Sequence, residues 1–174
     1  EFDPEQALDR ALDLFWSRGY AGTSMQNLID HMGIGRGSLY ETFESKEKLF
    51  ASALDRYCAR AVEWMSQSVE DAGDPVDGLT ELLRGFSRAG GESARGCLMV
   101  NTIVELAPHD EALAELLRKR WGRVENAFTA ALRRAQKAGT LGSHKKPRAL
   151  ARHFINTIQG MAVQAKYNDN RATS

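Results

Sequence analysis

"GIGRGSLYETFESKEKLF", residues 33–50, is the stretch on which the reading of the whole chain turns. Three of its first five residues are glycines, yet Leu39 and Phe43 stand four apart, the spacing of one helix face. Glycine costs about 1 kcal/mol relative to alanine inside a helix, so a helix that opens on Gly35 and Gly37 needs a reason. One reading is a flexible loop followed by a helix that starts at Ser45. The other is that something large approaches this backbone closely.

The residues before the stretch favour the second reading. Thr23, with Gln26 three positions on, predicts the cap of a short helix whose apolar face is Leu28, Ile29 and Met32, and Gly33 stops it. A turn then leads into a second helix of under two turns, from about Arg36 to Thr42. Two short helices joined by a glycine-containing turn are the helix-turn-helix signature. In that motif the second helix enters the DNA major groove, led by its N-terminal residues. Gly35 and Gly37 would let the free N–H groups of this helix close on phosphates and base edges. Leu39 and Phe43 point inward, toward Leu12, Phe15 and Ile29. Arg36, Gly37, Tyr40 and Glu41 point outward, and an exposed Tyr beside an Arg suits a nucleic-acid face.

Away from this motif nearly everything reads as helix, with apolar residues at three- and four-residue spacing and no strand alternation. Asp3-Pro4 opens the first helix, with Gln6 completing a capping box, a face of Leu8, Ala11, Leu12 and Phe15, and an end at "RGY", residues 18–20. Ser45 caps a helix running toward Trp64. Asp74-Pro75 starts another, which ends around residues 89–91. "CLMVNTIVELA", residues 97–107, is a short apolar helix closed by Pro108. Asp110 begins a long helix striped by Leu113, Leu117, Trp121, Val124, Phe128 and Leu132. After the loop "AGTLGSHKKP", Leu150, Phe154, Ile158 and Met161 stripe the last helix. The tail from Asn168 to Ser174 is read as frayed.

The 174 residues are 43% hydrophobic and 26% charged, as expected for one compact chain. No apolar run approaches the roughly 18 residues of a membrane span, and "EFDPEQALDR" lacks the apolar region of a signal peptide. The first residue is Glu rather than Met, so the natural start is read as missing. Cys58 and Cys97 are too few for a disulfide framework and too far apart for a CxxC motif. These features predict a reduced, cytoplasmic, nucleoid-associated protein. Its net charge is zero but unevenly spread. Residues 1–50 hold five basic and nine acidic residues, net −4, whereas residues 114–150 hold ten basic and two acidic, net +8.

"RGYAGTSMQNLIDHMGIGRGSLYETFESKEKLF" closely resembles the N-terminal domain of the tetracycline-repressor (TetR) family of transcriptional regulators. The likeness covers Phe15 to Phe50 almost without gaps: the "F…RGY…TS" lead-in, the "GI-x-R/K-G-S/T-LY-x-x-F" recognition helix and the "SKE-x-LF" after it. The resemblance implies an all-α protein with a three-helix DNA-binding domain at residues 1–47 and an effector-binding and dimerisation domain at 48–174. It implies a homodimeric repressor on a palindromic double-stranded operator. Arg36, Gly37, Ser38, Tyr40 and Glu41 would lie at the major groove, with Ser24, Met25 and Lys46 near phosphates. The long apolar stripes of the helices at Asp110–Ala138 and Pro147–Tyr167, the second with small residues at Gly160 and Ala162, predict that they pair with their symmetry mates as a four-helix bundle. A small-molecule effector in the C-terminal domain would alter the separation of the two recognition helices. Similar proteins carry a basic arm before the segment matching "EFDPEQAL", which bears on the acidic balance of residues 1–50. A rival placement puts nucleic acid on the basic region 114–150, but its Lys and Arg scatter around a helix with a core-like stripe.

Cys97, Asn101 and Glu105 sit four apart and form one polar stripe on an apolar helix. The stripe either faces solvent or lines a pocket, where a buried Glu would need a partner. With Trp64, Phe86, Trp121 and Phe128, Asn101 and Glu105 are candidate effector contacts. Ordinary core packing is the competing account of each aromatic. A glutamate in a pocket would favour a cationic or hydrogen-bond-donating effector. Cys97 offers an alternative as a redox or electrophile sensor, set against a buried inert thiol. His109-Asp110 after Pro108 is a faint pointer to metal or acid/base chemistry, with Asp110 more simply read as a helix cap, and His31 and His153 lack ligand-spaced partners. The chain has no P-loop, nucleophile elbow or Rossmann glycine pattern, so no catalytic residue, metal or cofactor is expected. A helical protein-interaction module is a further alternative, but it would not need the Arg36/Tyr40 pair.

Overall fold

The structure, a computed structural model, describes residues 2–92 and 95–167. Among the described residues all regular structure is helical: α1 (Pro4–Arg18), α2 (Met25–Met32), α3 (Arg36–Phe43), α4 (Lys46–Glu70), α5 (Pro75–Glu92), α6 (Leu98–Glu105), α7 (Glu111–Ala138) and α8 (Pro147–Tyr167). The chain forms two compact units, residues 1–58 and 59–174. The first turns of α4 therefore pack with the N-terminal unit. The expected tail, Asn168 to Ser174, lies outside the described residues.

The N-terminal unit is built on α1. Ala7, Leu8, Ala11, Leu14 and Phe15 are buried along it, and Leu12, expected on this face, is only half-buried. They meet Leu28 and Met32 of α2, Leu39 of α3, and Leu49, Phe50 and Leu54 of α4 in one core. Each large side chain so buried contributes roughly 1.5–3 kcal/mol. Phe15 and Phe50 meet edge to face with centroids 5.0 Å apart. Arg56 of α4, only 16% exposed, donates to Asp9 Oδ1 at 3.0 Å and pairs with the Glu5 carboxylate, fastening the start of α1.

Two caps differ from the sequence reading. Asp3 accepts from the N–H of Glu5, the second helical residue, so its bond is not the expected box with Gln6. The cap of α2 is Ser24 rather than Thr23. Ser24 Oγ accepts from the Asn27 N–H at 3.1 Å and the Ser24 N–H donates to Asn27 Oδ1 at 3.0 Å, a complete capping box. Thr23 is fully buried, and its hydroxyl donates to the Gly19 carbonyl at 2.7 Å, closing the turn after α1. A β-carbon on Gly22 would stand 2.4 Å from the Arg18 carbonyl oxygen, so this turn admits only glycine there.

In the C-terminal unit α7 and α8 pack together, and α5 and α6 pack against both. Leu117, Trp121, Val124, Phe128, Ala131, Leu132 and Ala135 bury one face of α7. On α8 the buried residues are Ala151, Ile155, Ile158, Ala162 and Ala165. The expected stripe on this helix is thus split: Ile158 is buried, while Leu150, Phe154 and Met161 are half-exposed. The buried set mixes alanines with Ile155 and Ile158. Glu125 fastens the pair, accepting from Arg148 Nε at 2.5 Å and Arg152 Nε at 3.2 Å. Gly96, with φ +63°, lies where a β-carbon would sit 2.6 Å from the Ala162 carbonyl oxygen of α8. No helix among the described residues is long and apolar enough to cross a membrane.

Candidate nucleic-acid interface

Helix α3 is anchored by one side and open on the other. Leu39 is fully buried and Phe43 half-buried, whereas Arg36, Gly37, Tyr40 and Glu41 are exposed and Ser38 is half-buried. Its approach is set by α2, which Gly33 ends in the left-handed conformation (φ 69°, ψ 33°). Arg10 of α1 donates to the Met32 carbonyl at 2.8 Å, satisfying one acceptor that the helix end leaves open.

The two glycines of α3 answer no need of the fold. Gly35, the N-cap, has φ −68° and ψ 152°, ordinary extended backbone open to any residue. A β-carbon there would only touch Ser38 Oγ at 3.9 Å, and one on Gly37 would meet nothing within 4 Å. No side chain caps this helix, so the N–H groups of its first turn keep their hydrogen-bonding capacity. A helix start stripped of side chains, uncapped and next to an exposed Arg and Tyr, is shaped to receive an anion or a base edge.

The start of α4 forms a second element of the surface. Ser45 Oγ accepts from the Lys48 N–H at 3.2 Å. The half-buried Lys46 places its ammonium 4.1 Å from the centroid of the Tyr20 ring. The Tyr20 hydroxyl donates to Glu47 Oε1 at 3.0 Å. Hydrogen bonding by Ser45, by its own backbone N–H and by Tyr20 holds the Glu47 carboxyl below its usual range, helped by Lys46 nearby. Burial, reinforced by Glu47, pushes Tyr20 up to about 12. Sequence reading singled out Lys46 but missed Tyr20 and Glu47, because partners 26 and 27 residues apart leave no local pattern. Of the other proposed phosphate contacts, Ser24 is exposed at the start of α2 and Met25 is half-buried.

Several carboxylates of this unit have partners within it. Glu5 and Asp9 engage Arg56, Asp13 lies 3.7 Å from His31, Glu44 pairs with Lys48, and Glu47 takes the Tyr20 hydroxyl. These pairings fix where the carboxylates sit but leave the net charge of residues 1–50 unchanged at −4.

The candidate effector residues are distributed over the C-terminal unit. Trp64 is 49% exposed and its ring meets Phe86 with centroids 5.5 Å apart. Asn101 is half-buried and donates to the Arg95 carbonyl at 3.0 Å, so its amide already serves the loop before α6. Glu105 is half-buried, Phe128 fully buried, and Trp121 8% exposed. The Trp121 Nε1 is buried without a hydrogen-bond partner, a donor of the kind that usually finds one. Cys58 and Cys97 are buried, and Cys97 stands at the N-cap position of α6. Their burial shields both thiols from reagents in solvent. Among the described residues no cluster of His, Cys, Asp or Glu could hold a metal ion.

Comparison with known proteins agrees with this geometry. Residues 7–53 match the family of bacterial regulatory proteins described as tetR, and residues 75–174 match a tetracyclin repressor-like C-terminal domain. The HTH-type transcriptional regulator YezE of Bacillus subtilis is 35% identical over 95% of this chain and 87% of that protein. The HTH-type transcriptional repressor ComR of Escherichia coli is 33% identical over 95% of this chain and 80% of its own length. Among solved structures, a cysteine mutant of the TetR family transcriptional regulator CifR, complexed with 26-bp double-strand operator DNA, superposes with a TM-score of 0.83. It is 34% identical over 95% of this chain and 88% of its own.

Proposed function

Because this chain belongs to the TetR family of bacterial transcriptional regulators, we propose that α3 reads the major groove of an operator. The observation that carries this reading is the pair Gly35 and Gly37, which neither backbone geometry nor packing requires. Arg36, Gly37, Ser38, Tyr40 and Glu41 form the base-proximal face. Ser24 and Met25 at the start of α2 and Lys46 at the start of α4 meet phosphates. The protein acts as a cytoplasmic repressor, excluding other proteins from the site it occupies. ComR is a repressor and CifR is held on operator DNA, which supports both parts.

The active species is a homodimer on a palindromic operator. The half-exposed Leu150, Phe154 and Met161 and the exposed Val163 on α8 leave apolar surface for a symmetry-related copy. Its recognition helices then read half-sites about 34–36 Å apart. A small molecule bound in residues 59–174 shifts the balance between DNA-binding and released states through its unequal affinity for them. Trp64, Phe86, Asn101, Glu105, Trp121 and Phe128 are the candidate contacts. The orphan Trp121 Nε1 favours an apolar effector that carries a hydrogen-bond acceptor.

The test is selection of bound sequences from a random duplex pool by the full chain, followed by titration of the winning duplex at fixed salt. Lys46→Ala should weaken binding to all sequences and lower the salt slope by about one per half-site. Arg36→Ala should change sequence preference, costing about 1–3 kcal/mol at the base it reads. An Arg36→Ala/Tyr40→Ala double variant that binds as the parent does defeats the assignment, and sedimentation as a monomer at micromolar concentration defeats the dimer.

A further inference from the structure

Tyr20 joins more groups than packing alone calls for. Its ring stacks on the fully buried Phe15, with centroids 6.2 Å apart and planes 20° apart, and meets the buried Phe50 at 5.0 Å and 65°. These two contacts fix the ring. Its hydroxyl is held by Glu47 at 3.0 Å, and the Lys46 ammonium sits over its face at 4.1 Å. An ammonium over an aromatic ring is attracted by the ring quadrupole and still has hydrogens to donate outward. A long lysine side chain has many rotamers, and part of that freedom is lost when it is immobilised on a ligand.

We propose that Tyr20 is a positioning residue for phosphate recognition: its ring, fixed by Phe15, Phe50 and the Glu47 carboxylate, holds the Lys46 ammonium in place before DNA arrives. The inference rests on the reading of Lys46 as a phosphate contact. The lysine then binds without first surrendering its rotamer freedom, and Tyr20 strengthens operator binding without touching DNA. Because the attraction is to the π-face, the ring is required and the hydroxyl is an accessory that steadies it.

A double-mutant cycle on the full chain with its selected duplex separates this role from simple packing. Tyr20→Leu should weaken binding about two- to fivefold per half-site, the range of an exposed cation–π contact. Tyr20→Phe should retain most of the affinity. In the Lys46→Ala background, Tyr20→Leu should cause no further loss. Pentafluorophenylalanine at position 20 keeps the ring's shape while reversing its quadrupole, so it should bind like the leucine variant even if Tyr20→Leu itself does not fold. Equal affinity for the phenylalanine and pentafluorophenylalanine forms overturns the proposal, as does a Tyr20 penalty that persists without Lys46. In both outcomes a weakened Lys46→Ala leaves the phosphate reading standing. If Lys46→Ala binds as the parent does, that reading falls and the proposal with it.

Discussion

Replacing Gly37 by Ala should stabilise the protein and impair its function. Gly37 is the second residue of α3, its backbone is not in the left-handed region, and an added β-carbon meets nothing within 4 Å. Alanine therefore introduces no clash, and it removes the entropic penalty of a helical glycine, about 0.5–1 kcal/mol. For a chain of this length that is a rise of about 1–4 °C in Tm, read by circular dichroism at fixed protein concentration. On DNA the same methyl would stand between the helix start and the duplex. Displacing one N–H from a phosphate costs about 1.5–3 kcal/mol, or about tenfold to a hundredfold in each half-site. Fluorescence anisotropy at constant salt measures that loss. A variant that melts higher and binds its operator as tightly as the parent would show that the glycine is not kept for close approach. A variant that melts lower would refute the account of the position itself.

Gly22→Ala and Gly96→Ala should act in the opposite sense, each lowering stability by about 1–3 kcal/mol in thermal melts, because their β-carbons would strike backbone oxygens at 2.4 and 2.6 Å. Glu44 joins α3 to α4 with φ 63° and ψ −48°, and the Ser45 N–H reaches the Phe43 carbonyl at 2.7 Å, a strained γ-turn. Glu44→Gly should therefore be more stable than Glu44→Ala by about 1 kcal/mol, the reverse of their order inside a helix; equal stability would dismiss the strain. Hydrogen bonding from Arg148, then from Arg152, holds the Glu125 carboxyl below its usual range against the effect of its partial burial. A depressed carboxyl contributes stability above its unfolded value of about 4.3 and loses it as the pH falls toward the folded value. Glu125→Gln should thus be less stable near pH 7 and show a shallower decline below about pH 4.3, measured by urea unfolding across that window.

The sequence alone carried the helices and the motif, because both are written in local chemistry. Asp110 before a long apolar stripe, Gly33 after a short one, and Ser45 before "KEKLF" fix helix ends through bonds that span a few residues. Leu39 inside with Arg36 and Tyr40 outside follows from helical period. Even there, two adjacent hydroxyl residues misled: Thr23 and Ser24 can both cap, and only the folded turn buries the first and leaves the second at the helix start. The contacts that tune the surface were beyond local pattern. Tyr20 meets Lys46 and Glu47, and Arg10 meets the end of α2, only because α1, α2 and α4 converge on one core. On α8 the same helical period allowed two overlapping apolar faces, and packing against α5 and α7 decided that Ala151, Ile155, Ile158, Ala162 and Ala165 are the buried ones. Whether a glycine serves the fold or something outside it is likewise a tertiary fact. Gly22 and Gly96 face backbone oxygens, while Gly37 faces open space, and only the surroundings of the missing β-carbon tell them apart.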